Sequence, residues 1–251
     1  MEAIKRLVKC ISYIEKLDIK EIKDLNIGVE IQDFTEPNLN ENEIKILISK
    51  YKKAFKNFQG IKSLHGPFLD LKPSSPDLLI REVSYKRYLK TMKIAAELDM
   101  DYIIFHSQIN PYLNEPSLIR LNNSQSKEFW DKVLKEANYK GIILIENIFE
   151  ETPKMLKEYI KTIDRSNIRV NLDIGHARLG KVDLEEWILE LGEYIEYMHL
   201  HSNDGVHDKH NELSKEEVDN LYYLLKKYKL SPVLSLEYDV ENLSLEMEKY
   251  I

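Results

Sequence analysis

The chain has little that would build an unusual architecture. A single cysteine, Cys10, among 251 residues excludes an internal disulfide framework. No tract rich in glycine, proline or serine marks a linker, no low-complexity run is present, and collagen-like or disordered composition is excluded. No stretch approaches the roughly 18 consecutive apolar residues that cross a bilayer, so no membrane association is expected. The opening MEAIKRLVKCISYIEK breaks every apolar run with lysine or arginine, so no secretory signal is read there and the expected location is the reducing cytoplasm. With 36 basic against 43 acidic residues the formal charge is -7, so the surface as a whole does not attract polyanions, although a locally basic cleft is compatible with it.

The chain does have enough apolar sequence, 43% of residues, to bury a full-sized core. Eight short β-rich runs stand out: Leu7 to Ser12, Ile27 to Gln32, Lys62 to Gly66, Tyr102 to His106, Ile142 to Glu146, Ile168 to Asp173, Tyr197 to His201 and Pro232 to Glu237. Segments with helical spacing separate them. From Pro76 to Leu98, Val83, Tyr88, Met92, Ala95 and Ala96 form a stripe, and Phe129, Trp130, Val133 and Leu134 do the same from Ser124 to Asn138. A short helix is read from Asp18 to Asp24, Pro153 can open another, and Ser214 with Glu217 forms a capping box. Strand and helix alternate eight times, which predicts an α/β fold: one (β/α)8 TIM barrel forming a single domain over residues 1–251, with a doubly wound open sheet as the alternative.

All seven histidines, His65, His106, His176, His199, His201, His207 and His210, fall at predicted strand ends or in the loops that follow, and none on a predicted helix. In a barrel of this kind the C-terminal rim hosts the chemistry, so residues distant in sequence converge there. Glu146, Asp173, Asp208 and Glu237 reach the same rim. Taken singly, each is most simply a structural or solvated residue. Jointly, carboxylates ending the apolar strands at Glu146, Asp173 and Glu237 would otherwise need separate partners, and one divalent cation serves all of them. Imidazole with carboxylate suits zinc, manganese or iron. Because side chains two residues apart point the same way, His199 and His201 both face the barrel interior. The upper one, His201, is read as a ligand, and His199 as a packed, hydrogen-bonded residue that can orient the site. His207 is read as solvent-exposed.

The segments SLHGPFLDL, IIFHS, ILIEN, LDIGHA, HLHSNDG with DKH, and LSLE resemble, in that order, the xylose isomerase-like TIM-barrel superfamily, from about Ile27 to Glu237. That group holds sugar and sugar-phosphate isomerases and epimerases and also the endonuclease IV class of DNA repair enzymes. The isomerase branch implies one divalent metal on Glu146, Asp173, His201 and Glu237, with Glu146 and Glu237 as the catalytic acid-base pair. His65, His106, His176 and Asn147 would then contact the substrate, a small sugar or sugar phosphate. The endonuclease branch implies two or three metal ions, adding His65, His106, His176, Asp208 and His210 as ligands, and a phosphodiesterase acting on abasic DNA. All nine ligand types of that cluster are present. Two departures pull back from it: NELSKEE replaces the glycine-rich segment after DKH, and Ser107 and Gln108 replace the proline and glycine that usually follow the second histidine.

DNA would further require a basic strip and a wedge. Phe68 and Leu69 after HGP could wedge a base step, but are more simply read as lining the mouth. Sugar chemistry therefore stands first and abasic-site cleavage second. A catalytically silent barrel stands last, because both acid-base glutamates are intact. Nothing in the sequence identifies an oligomer.

Overall fold

The computed structural model describes residues 6–250. Its strands are β1 (Leu7–Ile11), β2 (Gly28–Ile31), β3 (Lys62–His65), β4 (Tyr102–His106), β5 (Ile142–Glu146), β6 (Ile168–Asp173), β7 (Ile195–Leu200) and β8 (Val233–Leu236). They pair in sequence order, all parallel, and β8 closes onto β1 through Leu7 beside Leu234 and Lys9 beside Leu236. This closed cylinder is the expected (β/α)8 barrel, and the open doubly wound sheet is excluded.

The helices are α1 (Ile19–Asp24), α2 (Glu41–Ala54), α3 (Leu78–Glu97), α4 (Pro116–Ala137), α5 (Lys154–Ile163), α6 (Ile174–Arg178), α7 (Leu184–Leu191), α8 (Lys215–Tyr228) and α9 (Leu243–Met247). Their starts follow capping chemistry. Asn40 with Glu43, and Ser214 with Glu217, close reciprocal capping boxes on α2 and α8. Two expectations are corrected. The α4 helix begins at Pro116 rather than Ser124, because Pro116 occupies the first turn, where its missing N–H costs nothing, and Glu115 caps Ser117. His176 lies on α6, not in a loop, because Asp173 accepts from the His176 N–H and turns the chain into a helix directly after β6. No helix among the described residues is long and apolar enough to cross a membrane.

Outward strand residues pack beneath the helices: the Phe105 ring of β4 stacks on Tyr88 of α3 at 4.1 Å, with Phe129 and Trp130 of α4 against them. The interior is layered. Val8, Ile104, Leu144, Tyr197 and Val233 form a small apolar cluster separate from the outer core. Two residues further along their strands come Cys10 and His199, and Glu30, Ser63 and Ser235 are buried beside them. Polar residues thus replace apolar ones toward the C-terminal mouth.

Candidate active site

Strand register brings the candidate residues together. His106 pairs with Glu146 across β4 and β5, Glu146 with Asn171 across β5 and β6, and Asp173 with His199 across β6 and β7. His201 and Glu237 follow immediately after β7 and β8, where the Glu237 N–H donates to the Leu200 carbonyl.

Glu146 is buried within a ring of imidazoles. Its carboxylate lies 3.5 Å from His65 Nε2, 3.7 Å from His106 Nε2, 3.5 Å from His176 Nδ1 and 3.3 Å from His199 Nδ1, and Asn171 Nδ2 donates to it at 3.0 Å. Burial works to raise its pKa, but His199 and His106 outweigh that and hold it well below the ordinary carboxylate value. His106, itself desolvated, is pushed down to about 3. Asp173 lies 3.0 Å from His201 Nε2 and 3.4 Å from His176 Nδ1, and despite its burial these histidines hold it ionised. Asp208 joins His176 at 3.2 Å and His210 at 3.4 Å, while the His210 ring stacks on His201 at 3.9 Å. Burial opposes protonation of His176, yet Asp173 and Asp208 raise its pKa to about 10.

The nine sequence-predicted ligands therefore gather at one mouth, and among the described residues six groupings could each hold an ion, including His65, His106 and Glu146; His65, His199 and Glu237; Glu146, Asp173 and His199; and His176, His201, Asp208 and His210. The fit to a metal rests on the second ring nitrogens. His65 Nδ1 bonds the Gly66 carbonyl, His176 Nδ1 the Asn147 carbonyl and His210 Nδ1 the Glu237 carbonyl, each at 2.9 Å. Backbone anchoring of Nδ1 is how metal-binding imidazoles are held with Nε2 turned to the ion. In addition, His199 Nδ1, His201 Nδ1 and Glu237 Oε2 are buried without a well-aligned hydrogen-bond partner. Buried polar atoms left bare are costly, and a cation would satisfy those aimed at the mouth.

The remaining candidates divide. Asn147 donates to the Asp173 carbonyl and accepts from the Asp173 N–H, so its amide joins the ends of β5 and β6. His207 is exposed and paired with Asp204. Phe68 stacks on His106 at 4.4 Å and lines the mouth with Leu69. His199 is buried as expected, but its surroundings are more specific than its sequence position suggests. Its Nε2 lies 3.0 Å from Glu30 Oε2, and the same carboxylate accepts from Tyr197 at 2.8 Å and Ser235 at 3.0 Å. Glu30, Asn171 and Gln32, which donates to Glu237 at 2.9 Å, were not singled out by the sequence. The signal for Glu30 was a lone carboxylate inside the apolar strand GVEI.

A cavity of about 650 Å³ opens over this cluster, lined by His65, His106, Glu146, His176, Asp208 and Glu237. The sequence profile of the xylose isomerase-like TIM barrel matches residues 3–250. The chain belongs to this family. Among similar proteins, MJ1311 of Methanocaldococcus jannaschii is 28% identical over 190 residues, covering 69% of this chain and 63% of that protein. The match thus spans less than two thirds of that relative's length. Among solved structures, the TTHB071 protein of Thermus thermophilus, soaked with zinc chloride, superposes with a TM-score of 0.75 at 23% identity, covering 97% of both chains. A D-tagatose 3-epimerase-like protein superposes with a TM-score of 0.71 at 22% identity, covering 96% of this chain and 94% of that one. At these identities the two structures establish the shared xylose isomerase-like fold.

Proposed function

We propose that the protein is a metal-dependent isomerase or epimerase of a sugar or sugar phosphate. The observation that carries this reading is the convergence of Glu146, at the end of β5, and Glu237, directly after β8, on one point: their carboxylates lie 3.3 Å and 2.8 Å from the same atom, His199 Nδ1. Two carboxylates meeting at the floor of a cavity are close enough together to serve one substrate as an acid-base pair.

Glu146, Asp173, His201 and Glu237 would hold a zinc, manganese or iron ion. Bound there, such an ion would polarise a sugar carbonyl and make the neighbouring C–H more acidic. Glu237 is the more accessible of the pair, with one oxygen held by Gln32 and the other left without a well-aligned hydrogen bond. It would remove the proton, and Glu146, fixed by Asn171, would be the second group of the acid-base pair. Return to the same carbon gives an epimerase; return to the neighbouring carbon gives an isomerase. His65, His106 and His176 border the cavity where hydroxyls would lie.

A second reading is favoured by one observation: His176, His201, Asp208 and His210 form a grouping of their own beside His65, His106 and Glu146. Additional ions at those positions would support phosphodiester cleavage of the endonuclease IV type. The deciding experiment sets an aldose and ketose panel beside an abasic-site oligonucleotide, using metal-loaded protein. Interconversion of a sugar supports the first reading, and nicking of the oligonucleotide at low enzyme concentration overturns it. We also infer that the chain acts as a single domain and that its substrate is a small molecule.

A further inference from the structure

Away from the mouth, the first two turns of α3 carry an apolar surface that no described residue covers. Leu78 is 70% exposed, Leu79 72%, Ile80 43% and Val83 53%. With about 100° of rotation per residue these side chains point to different sides of the helix, and Leu79 and Val83 stand together on its crest. The helix start is well formed: the Asp77 side chain accepts from the N–H groups of Leu79 at 2.8 Å and Ile80 at 3.4 Å. A helix segment that is apolar on every side is ordinarily a buried one, so an exposed one calls for a cover.

The neighbouring helix extends the patch. Leu118 and Leu121 of α4 are 41% and 52% exposed and lie two turns and one turn before Gln125, on the same side of that helix. Gln125 from α4 and Leu78 from α3 line a groove of about 310 Å³ between the two helices. The exposed surface of the six apolar residues sums to roughly 600 Å², the upper end of what a monomer carries in one patch. Two such patches pressed together would bury about 1,200 Å² before any polar rim is added, which reaches the range of specific interfaces.

The charges around the patch select the occupant. The groove presents Arg81 and Lys132 beside Glu82 and Glu128, two of each sign. The lysines further along the crest are paired within the chain, Lys86 with Glu82 at 2.7 Å and Lys90 with Glu41 at 2.6 Å. A face of balanced charge does not recruit a nucleic acid or a strongly charged partner, and it is where two chains of formal charge -7 meet with least repulsion. Because a twofold axis brings a face against itself, opposite charges can pair across it only if the face holds both signs, as this one does.

We propose that this face pairs with the same face of a second copy of the chain, forming a twofold dimer in which Leu79 and Val83 of each copy pack against the α3–α4 groove of the other. The assignment is independent of the chemistry at the mouth.

Sedimentation velocity of the full chain, at concentrations up to about 100 μM, tests it. The wild type is expected to sediment as a dimer. The paired substitution Leu79→Asp with Val83→Asp, which sets like charges against each other across the axis, should weaken dimerisation at least about 100-fold. Leu121→Asp, on the other wall of the groove, should act in the same direction. All three positions face solvent, so the circular dichroism spectra should match that of the wild type. Leu189→Asp, an exposed apolar position on α7 outside the patch, should leave the dimer intact. A wild-type chain that stays monomeric at the highest concentration overturns the proposal. So does a dimer that survives either the paired α3 substitution or Leu121→Asp, or one that Leu189→Asp dissolves equally.

Discussion

His199 Nδ1 lies 2.8 Å from Glu237 Oε2, while the opposite nitrogen of the same ring lies 3.0 Å from Glu30. The imidazole therefore couples a carboxylate sealed inside the barrel to one at the mouth. Removing Glu30 leaves His199 Nε2 and the Tyr197 and Ser235 hydroxyls buried without their shared acceptor, while Glu237 still faces Nδ1, and groups orphaned in this way cost about 1–3 kcal/mol each. Glu30→Ala should show that loss in urea unfolding at pH 7. Glu30→Gln, which keeps an acceptor for His199, should show a smaller one.

Glu146 and Glu237 carry the proposed proton transfers, and general acid-base groups contribute roughly 10²–10⁴-fold each. Glu146→Gln and Glu237→Gln should each reduce turnover of the true substrate by at least that factor. Their circular dichroism spectra should match that of the wild type. Turnover surviving either change would remove that residue from the mechanism.

The Gly175 Cα faces the His201 ring so closely that a Cβ there would overlap ring atoms. Gly175→Ala should displace the imidazole and weaken zinc binding by roughly 10–100-fold, the range observed when a metal-bound histidine loses its support. Calorimetric titration of the metal-free protein reads this directly. Unchanged affinity would mean that His201 is not a ligand.

Glu217 supplies a pH-dependent term away from the mouth. Burial raises its pKa, but bonds from Ser214, Ser202 and Arg178 bring it down to about 2. A folded-state pKa below the unfolded value of about 4.3 stabilises the fold above that pH, and the contribution fades as pH falls toward the folded value. Discounted for its solvent exposure, the term is about 1 kcal/mol. Glu217→Gln should be less stable than wild type by that amount at pH 6, and the gap should narrow steadily in denaturant titrations from pH 5 to pH 3.

The barrel was legible because its eight apolar runs and intervening amphipathic segments carry the two periodicities that strands and helices need. The mouth was legible because carboxylates such as Glu146 and Asp173 end otherwise apolar strands. The support beneath it was not. Glu30 lies in a strand of its own, and only closure of the barrel brings it to His199, separated by 169 residues along the chain. The helical position of His176 was hidden for a local reason: Asp173 serves both as a strand end and as a helix cap, and sequence pattern registers only the first role.

The central claim is that acidic and imidazole groups from separate strands share a cation at this mouth. Isothermal titration of zinc and manganese into metal-stripped protein, repeated with Asp173→Asn and Glu237→Gln, tests it most directly. The account predicts at least one ion bound per wild-type chain and affinity reduced in both variants. Absence of binding by the wild type, or binding undiminished in both variants, would contradict it.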